Sequence, residues 1–393
     1  MHRPGVRIPL SPKGLAVTDF NTILCFAYYG IFVGLHITLM LGITLEWIRE
    51  KKVLRNDDGE SPFVSVIIPV HNESHRIEGL LKSLETQDYP EAEYIFIDDR
   101  SRDESAEMIA SFISRNLPAK MISLNENPGP NHKQYALTKG IEIARGDFLL
   151  FTDADCILPP QWVRGMVRRM NDKNTGVIIA PVLKQPGGKG FFHLYQCFEH
   201  GIRYVYLAGA TGLGAAGGGF GNNLILRRAC LDLVGGYENI PPSPTEDAAL
   251  ISKIRSGSKY SIRAALGKDV HVITLGENSW KALINQTLRW NNGGIFSPDL
   301  VTRINYIFLM STIGVGILAL PLLPLFPSIW PLPAAVLTSM AFNSIANLRL
   351  FSASLPKAKI GYILALVFTP AYFTFLTIMG FLGIKPTWKD MKI

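Results

Sequence analysis

The chain has 393 residues, enough for two or three domains, with 48% hydrophobic and only 18% charged residues and a mean hydropathy of +0.19. Soluble proteins carry about 25% charged residues, so this composition excludes a disordered tail protein and argues against a wholly water-soluble enzyme. The net charge of +7 comes without a long Lys/Arg block, which argues against a nucleic-acid-binding arm and leaves anionic lipid headgroups or a phosphate-bearing substrate as partners of the basic residues. Cys25, Cys156, Cys197 and Cys230 share no paired spacing, so neither a disulfide framework nor a zinc site is expected.

Residues 1–19 read as a tail. Phe20 to Leu45 contains no Asp, Glu, Lys or Arg and exceeds the ~20 residues a span requires. No small-residue cleavage site precedes Glu46, so residues 20–47 read as an uncleaved anchor, with His36 a packed helix-face residue. A charged linker over 48–61 is expected next.

From there the pattern alternates. Phe63–Val70 is a β-branched apolar run of a strand buried on both faces. Arg76–Thr86 places Ile77, Leu80, Leu81 and Leu84 at helical spacing. Strands at Tyr94–Ile97, Lys120–Leu124 and Phe148–Phe151 are separated by helices at Glu104–Arg115 and Lys133–Ala144. Strand and helix in turn imply a parallel sheet covered by helices, in which ligands bind at the carboxyl ends of the strands.

The segments leaving those strand ends are acidic. The first strand runs into His71-Asn72-Glu73, the second into Asp98-Asp99-Arg100-Ser101-Arg102-Asp103, and the fourth into Thr152-Asp153-Ala154-Asp155. Carboxylates gathered on one rim repel one another unless something positive lies between them. A divalent cation with diphosphate oxygens answers that need, whereas a plain turn or helix cap is the alternative for each motif alone. Two later segments add to the set. Thr245-Glu246-Asp247 opens the helical stretch Ala248–Ile254, either as an N-cap with first-turn acids or as a general base. Trp280–Trp290 is amphipathic and contains Gln286, Arg289 and Trp290. It reads either as an interfacial helix or as a site whose Arg289 pairs with phosphate and whose Trp290 stacks on a sugar.

After this region, Ile304–Leu348 is again uncharged and is divided by the proline-rich Pro321–Pro333, and Ile360–Ile384 is a further apolar stretch. About three transmembrane helices over 304–384, with a tail over 385–393, bring the expected spans to four. Arg49, Lys51, Lys52 and Arg55 follow the first span, and Arg349, Lys357 and Lys359 lie between the last two. The positive-inside rule puts residues 46–303 and the 349–359 loop in the cytoplasm, although basic residues in both tails oppose this.

The ordered set resembles the family 2 glycosyltransferases, inverting enzymes of the GT-A fold. The likeness runs from about Val64 to Trp290 and rests on Val66 to Glu73, Ile97 to Ser101, Gly146-Asp147 with Thr152 to Asp155, and Lys133 with Ala136-Leu137. Gly235-Gly236-Tyr237, Thr245 to Asp247, and Gln286 with Arg289-Trp290 complete it. The resemblance implies an α/β, Rossmann-like and mostly parallel GT-A domain over 62–300, with an interfacial helix near 277–292, flanked by transmembrane helices. It implies that Pro69, His71, Glu73, Asp99, Lys133 and Asp153 bind the nucleotide sugar and that Asp153 and Asp155 hold Mg²⁺ or Mn²⁺. Asp247 then matches the catalytic base, with Glu246 beside it and Arg289 as a further catalytic group, while Gln286, Arg289 and Trp290 lie near the acceptor and the diphosphate. Gly212–Gly221 either lets backbone approach the acceptor or forms a mobile loop, and His271 is read as structural rather than as another metal ligand.

The expected activity is transfer of a hexose from a nucleotide sugar, by default a UDP-hexose, to a lipid-soluble acceptor in the cell membrane, with inversion. The catalytic domain is expected to face the cytoplasm and to need no obligatory protein partner. A processive polysaccharide synthase using the same domain is the alternative.

Overall fold

A computed structural model describes residues 12–55, 61–115, 118–128, 131–241, 243, 245–352, 359–388 and 391–392. Helix α1 (Pro12–Arg55) runs unbroken from the apolar stretch into the basic residues behind it. A linker is expected from residue 48, yet the helix persists to Arg55 because its last turns are docked. Glu46 accepts the Ala264 amide at 3.2 Å, and Glu50 accepts those of Leu266 and Gly267 at 3.0 and 3.2 Å. Buried Arg169 lies between Glu50, at 2.5 Å, and Asp269, at 2.7 Å. Residues 56–60 of the expected linker lie outside the described residues.

The alternating region forms β1 (Val64–Val70), α2 (Ile77–Glu85), β2 (Ala92–Asp98), α3 (Ser105–Ile113), β3 (Ala119–Ser123), α4 (His132–Ile143) and β4 (Phe148–Phe151). Val64, Val66, Ile68 and Val70 of β1 pack with Ile77, Leu80 and Leu84 of α2, while Ile67 faces the opposite layer with Leu137 of α4. Alternate residues thus enter two apolar layers, which is why the run carries no polar face.

The chain continues through β5 (Cys156–Ile157), α5 (Trp162–Arg168), β6 (Thr175–Ile179), β7 (Val182–Gln185), α6 (Phe191–Gly212), β8 (Leu224–Arg227), α7 (Arg228–Asp232), α8 (Glu246–Gly257), β9 (Ser261–Ala264) and β10 (Val272–Leu275). Seven strands form one sheet in the order β3-β2-β1-β4-β8-β6-β9, and β5-β10-β7 form a second. The large sheet is mostly rather than wholly parallel, since β8 opposes both neighbours. Its first residue, Leu224, pairs with Phe151 and Ile179, the last residues of β4 and β6. The chain therefore re-enters the sheet from the rim at which β6 left it, and the glycine-rich segment before β8 is held on that rim.

Helices α9 (Trp280–Ile295), α10 (Leu300–Ala319), α11 (Pro331–Phe351) and α12 (Lys359–Phe381) follow, and in the expected tail β11 (Thr387–Trp388) pairs antiparallel with β12 (Met391–Lys392). Ser279 caps α9 by accepting the Ala282 amide at 3.2 Å, and Asp299 caps α10 by accepting that of Thr302 at 2.7 Å. Four helices among the described residues are long and apolar enough to cross a membrane: Phe20–Arg55, Leu300–Leu322, Pro327–Phe351 and Ile360–Phe381. They join the sheet domain through α6, whose Tyr195, Phe198 and Ile202 share a core with Leu283, Ile313, Met340 and Leu376. Against α1 the join is backbone to backbone. A Cβ on Gly42 would lie 2.0 Å from the Gly209 carbonyl oxygen, and one on Gly212 would lie 2.0 Å from that of Gly42.

Candidate active site

The rim is built from the loops that leave β1, β2 and β4. Asn72 and Arg100, just beyond β1 and β2, adopt left-handed backbone with φ of 53° and 57°, a conformation that bulky side chains adopt only when held. Here the two loops hold each other. The Asn72 amide donates to Ser101 Oγ at 3.0 Å, the Arg102 amide to Asn72 Oδ1 at 2.8 Å, and His71 Nδ1 to the Asp99 carbonyl at 2.5 Å. Asp99 accepts from Arg100 Nε and from Asn127 Nδ2, each at 2.8 Å.

Beyond β4, Asp153 pairs with Lys133 of α4 at 2.7 Å, and the same ammonium lies 3.5 Å from Glu246. Burial penalises the Lys133 charge, but Asp153 and Glu246 outweigh it and hold the pKa above the ordinary lysine range. Asp155 accepts from Thr274 Oγ1 of β10 at 3.1 Å and lies 3.5 Å from Arg76, which also pairs with Glu73 at 2.7 Å. Burial first, and then the neighbouring Asp153 charge, push the Asp155 carboxyl up. Among the described residues no group of three or more His, Cys, Asp or Glu is placed to hold a metal ion. The protein here offers two hard oxygen donors, and any further ligands of a cation must come from what binds beside them.

Asp247 stands in the first turn of α8. Its Oδ2 accepts the Gly221 amide at 2.9 Å and its Oδ1 that of Ala248 at 2.8 Å. Thr245 occupies the cap position, but its side chain makes no capping hydrogen bond. Burial and the adjacent Glu246 charge raise the Asp247 pKa to about 6. Gly221 is needed for this arrangement, since a Cβ there would already crowd the Asp247 Cβ at 3.2 Å. The glycine-rich stretch thus packs its backbone against α8.

Gln286, Arg289 and Trp290 project from α9 into the same space. Gln286 donates to Glu277 at 2.7 Å and accepts from Lys184 Nζ at 2.7 Å. The Trp290 ring meets His200 at 5.5 Å, and the Arg203 guanidinium lies 5.1 Å from its centre. Buried Glu199 pairs with Arg203.

Every residue that the sequence marks for nucleotide, metal, acceptor or catalysis lines one cavity of about 1350 Å³. Its other end is apolar, with Leu35 and Leu39 of α1, Phe308 and Ile313 of α10 and Met340 of α11. His36 also lines it, with Nδ1 donating to the Phe32 carbonyl at 2.9 Å. His271 stands apart. It packs on Phe351, Nε2 donates to the Leu266 carbonyl at 3.3 Å, and burial lowers its pKa to about 4. Arg76, Lys184, Arg203 and His200 also line the cavity and escape sequence reasoning. The signal for Lys184 is a lysine that follows Val182 and Leu183 in one short strand, Val182–Gln185, and is buried with them.

Residues 65–234 match the family model described as Glycosyl transferase family 2. A curated relative from Nostoc sp., "Beta-monoglucosyldiacylglycerol synthase", is 24% identical over 271 residues, covering 68% of this chain and 57% of the relative. Another, the "Poly-beta-1,6-N-acetyl-D-glucosamine synthase" of Staphylococcus epidermidis, is 30% identical over 144 residues, covering 35% of this chain and 33% of the relative. The chain thus covers less than two thirds of these relatives' own length. Among solved structures, the mannosyltransferase PcManGT from Pyrobaculum calidifontis in complex with GDP-Man and Mn²⁺ superposes with a TM-score of 0.52 at 18% identity, over 91% of this chain and 100% of that one. That likeness concerns the fold, and the sheet domain is of the GT-A type expected from the sequence.

Proposed function

The chain carries a glycosyltransferase family 2 domain over residues 65–234, and from that premise we propose that it is an integral membrane enzyme transferring a hexose from a nucleotide sugar, by default a UDP-hexose, to a hydroxyl of a lipid-soluble acceptor. The observation that carries this reading is one cavity of about 1350 Å³ joining Asp153, Asp155 and Asp247 to apolar side chains of all four candidate spans, Phe373 being the contribution of the last. Small-ligand pockets measure about 300–1,000 Å³, so this one has room for a donor and part of a lipid together. The Nostoc relative, named for a glucosyldiacylglycerol, supports the same reading.

In this mechanism Asp247 takes the proton of the acceptor hydroxyl as its oxygen attacks the anomeric carbon. The new C–O bond forms opposite the breaking bond to the diphosphate, the anomeric centre inverts, and the nucleoside diphosphate leaves with the bonding electrons. A pKa of about 6 leaves Asp247 ionised at neutral pH yet basic enough to accept the proton. The Gly221 and Ala248 amides fix both of its oxygens, and each oxygen keeps a lone pair for the substrate. Pro69, His71, Glu73 and Asp99 receive base and ribose, Lys133 stands by the phosphates, and Arg289 with Trp290 serves the diphosphate and acceptor. Asp153 and Asp155 would hold Mg²⁺ or Mn²⁺ as two hard carboxylates one residue apart, whose Lys133 and Arg76 partners leave the Asp155 carboxyl still pushed up by burial and by Asp153, and such an ion would neutralise charge developing on the leaving group. Arg49, Lys51, Lys52 and Arg55 at the end of α1 support a cytoplasmic catalytic domain, whereas Lys357 of the 349–359 loop lies outside the described residues.

The test uses membranes containing the chain, a panel of radiolabelled nucleotide sugars and Mg²⁺ or Mn²⁺, with Asp247→Asn as control. Organic-soluble label that the variant fails to produce is the expected result. Ethanol-insoluble label released by a glycosidase would instead establish a processive polysaccharide synthase, the reading favoured by the Staphylococcus relative. Absence of label with every donor, together with absence of nucleotide-sugar binding, would refute both.

A further inference from the structure

Lys184 is 3% exposed, yet among the described residues its ammonium has only neutral hydrogen-bond acceptors. These are the side-chain oxygens of Gln286 at 2.7 Å and Gln196 at 3.4 Å. Among the described residues no carboxylate lies within ion-pair distance of it. Glu199 is engaged by Arg203, and Glu277 accepts from the Gln286 amide. A buried cation without a contacting anion is costly. Lysine has three donors, and with two turned to glutamines the third is left for the cavity that Lys184 lines.

The strand register says where in the cavity that donor lies. Thr274, on the central strand β10, is paired with Lys184 on one side and with Cys156 on the other. Residues paired in register point to the same face of a sheet, one strand spacing of about 4.8 Å apart. Thr274 is also the residue whose hydroxyl holds Asp155. Lys184 and Asp155 therefore flank one side chain, and the Trp290 ring centre lies 5.7 Å from the ammonium. Burial pushes the Lys184 pKa down, as expected of a cation awaiting its partner.

We propose that Lys184 is an anion-binding residue of the active site, which contacts the terminal phosphate of the nucleoside diphosphate and is oriented for it by Gln286. The inference rests on the reading of the chain as a nucleotide-sugar transferase. It gives Gln286 an indirect role, since its amide is held between Glu277 and Lys184. The charge-assisted contact strengthens as the sugar–phosphate bond breaks and negative charge gathers on the departing oxygen.

The experiment is calorimetric titration of the full chain in detergent with Mg²⁺, using the pairs UMP and UDP, GMP and GDP, AMP and ADP, for the parent, Lys184→Met and Lys184→Arg. For the nucleotide the parent binds, Lys184→Met should weaken the diphosphate by roughly 10- to 100-fold, the range for a charged hydrogen bond. It should leave the monophosphate within about twofold, and Lys184→Arg should restore most of the loss. If both members of the pair weaken together, Lys184 merely ties β7 to α9 and the inference fails while the transferase reading stands. An unchanged diphosphate affinity overturns it equally, and would leave an acceptor-borne phosphate as the anion to seek. If the parent binds none of the six nucleotides, the inference and the reading beneath it both fall.

Discussion

Asp247 gives the sharpest prediction, because burial beside Glu246 raises its pKa from 3.8 to about 6. A base must be ionised to act, so turnover should be constant at neutral pH and fall as pH drops through about 6. With that pKa the ionised fraction is about 90% at pH 7 and about 10% at pH 5, so kcat should decline roughly ninefold to tenfold. With the ordinary carboxyl pKa of 3.8 the loss over the same interval would be under about 10%. Stability carries the opposite sign. The folded state binds the proton more tightly than the unfolded chain, so the carboxyl's contribution is fully present below pH 3.8 and is lost as pH rises through about 6. The upper bound on that loss is about 3 kcal/mol. Asp247→Asn should reduce turnover by roughly 10²- to 10⁴-fold, while relief of the buried charge offsets, in the thermal midpoint at pH 7, the loss of one of the two backbone amides its oxygens accept. The assay is initial-rate transfer at saturating donor from pH 4.5 to 8.5, beside detergent thermal scans of both proteins. A flat profile down to pH 4.5, or an asparagine variant retaining full turnover, would refute the assignment of Asp247 as base.

Gly42→Ala should lower stability by about 1–3 kcal/mol, since its Cβ would meet the Gly209 carbonyl oxygen at 2.0 Å. Gly30→Ala on the same helix has nothing within 4 Å and should not lower it, as paired thermal scans would register. Arg169→Met should cost about 3–5 kcal/mol, because Glu50 and Asp269 lose their shared cation in a site where Arg169 is 4% exposed. The same scans measure this loss. Leu35→Trp, at a partly buried position lining the apolar arm of the cavity, should raise the acceptor KM while leaving nucleotide affinity within about twofold of the parent, read by kinetics and calorimetry together.

The sequence by itself determines the alternation from β1 to β4, because most residues of β1, β2 and β4 are apolar and each helix places its buried residues three and four apart, although β3 carries Lys120 and Ser123 and is only half-buried. It determines which loops carry acids, and it marks four stretches long and apolar enough to span a bilayer. Helix α6 is not legible in that way. Nearly every face of its 22 residues is buried, including Glu199 and His200, so no polar stripe reveals its period. The direction of β8 is equally hidden, since it depends on the rim from which the chain returns. Tertiary structure also decides the roles within the site. It turns the Gln286 amide between Glu277 and Lys184, sets His271 against Phe351 outside the cavity, and brings a strand lysine beside Thr274 and Asp155. Apart from Glu277 and Gln286, nine residues apart, these contacting neighbours lie scores of residues apart in the chain and meet only through strand register and helix packing. Local spacing fixes the elements and the chemistry they carry, and only packing decides which charges face one another.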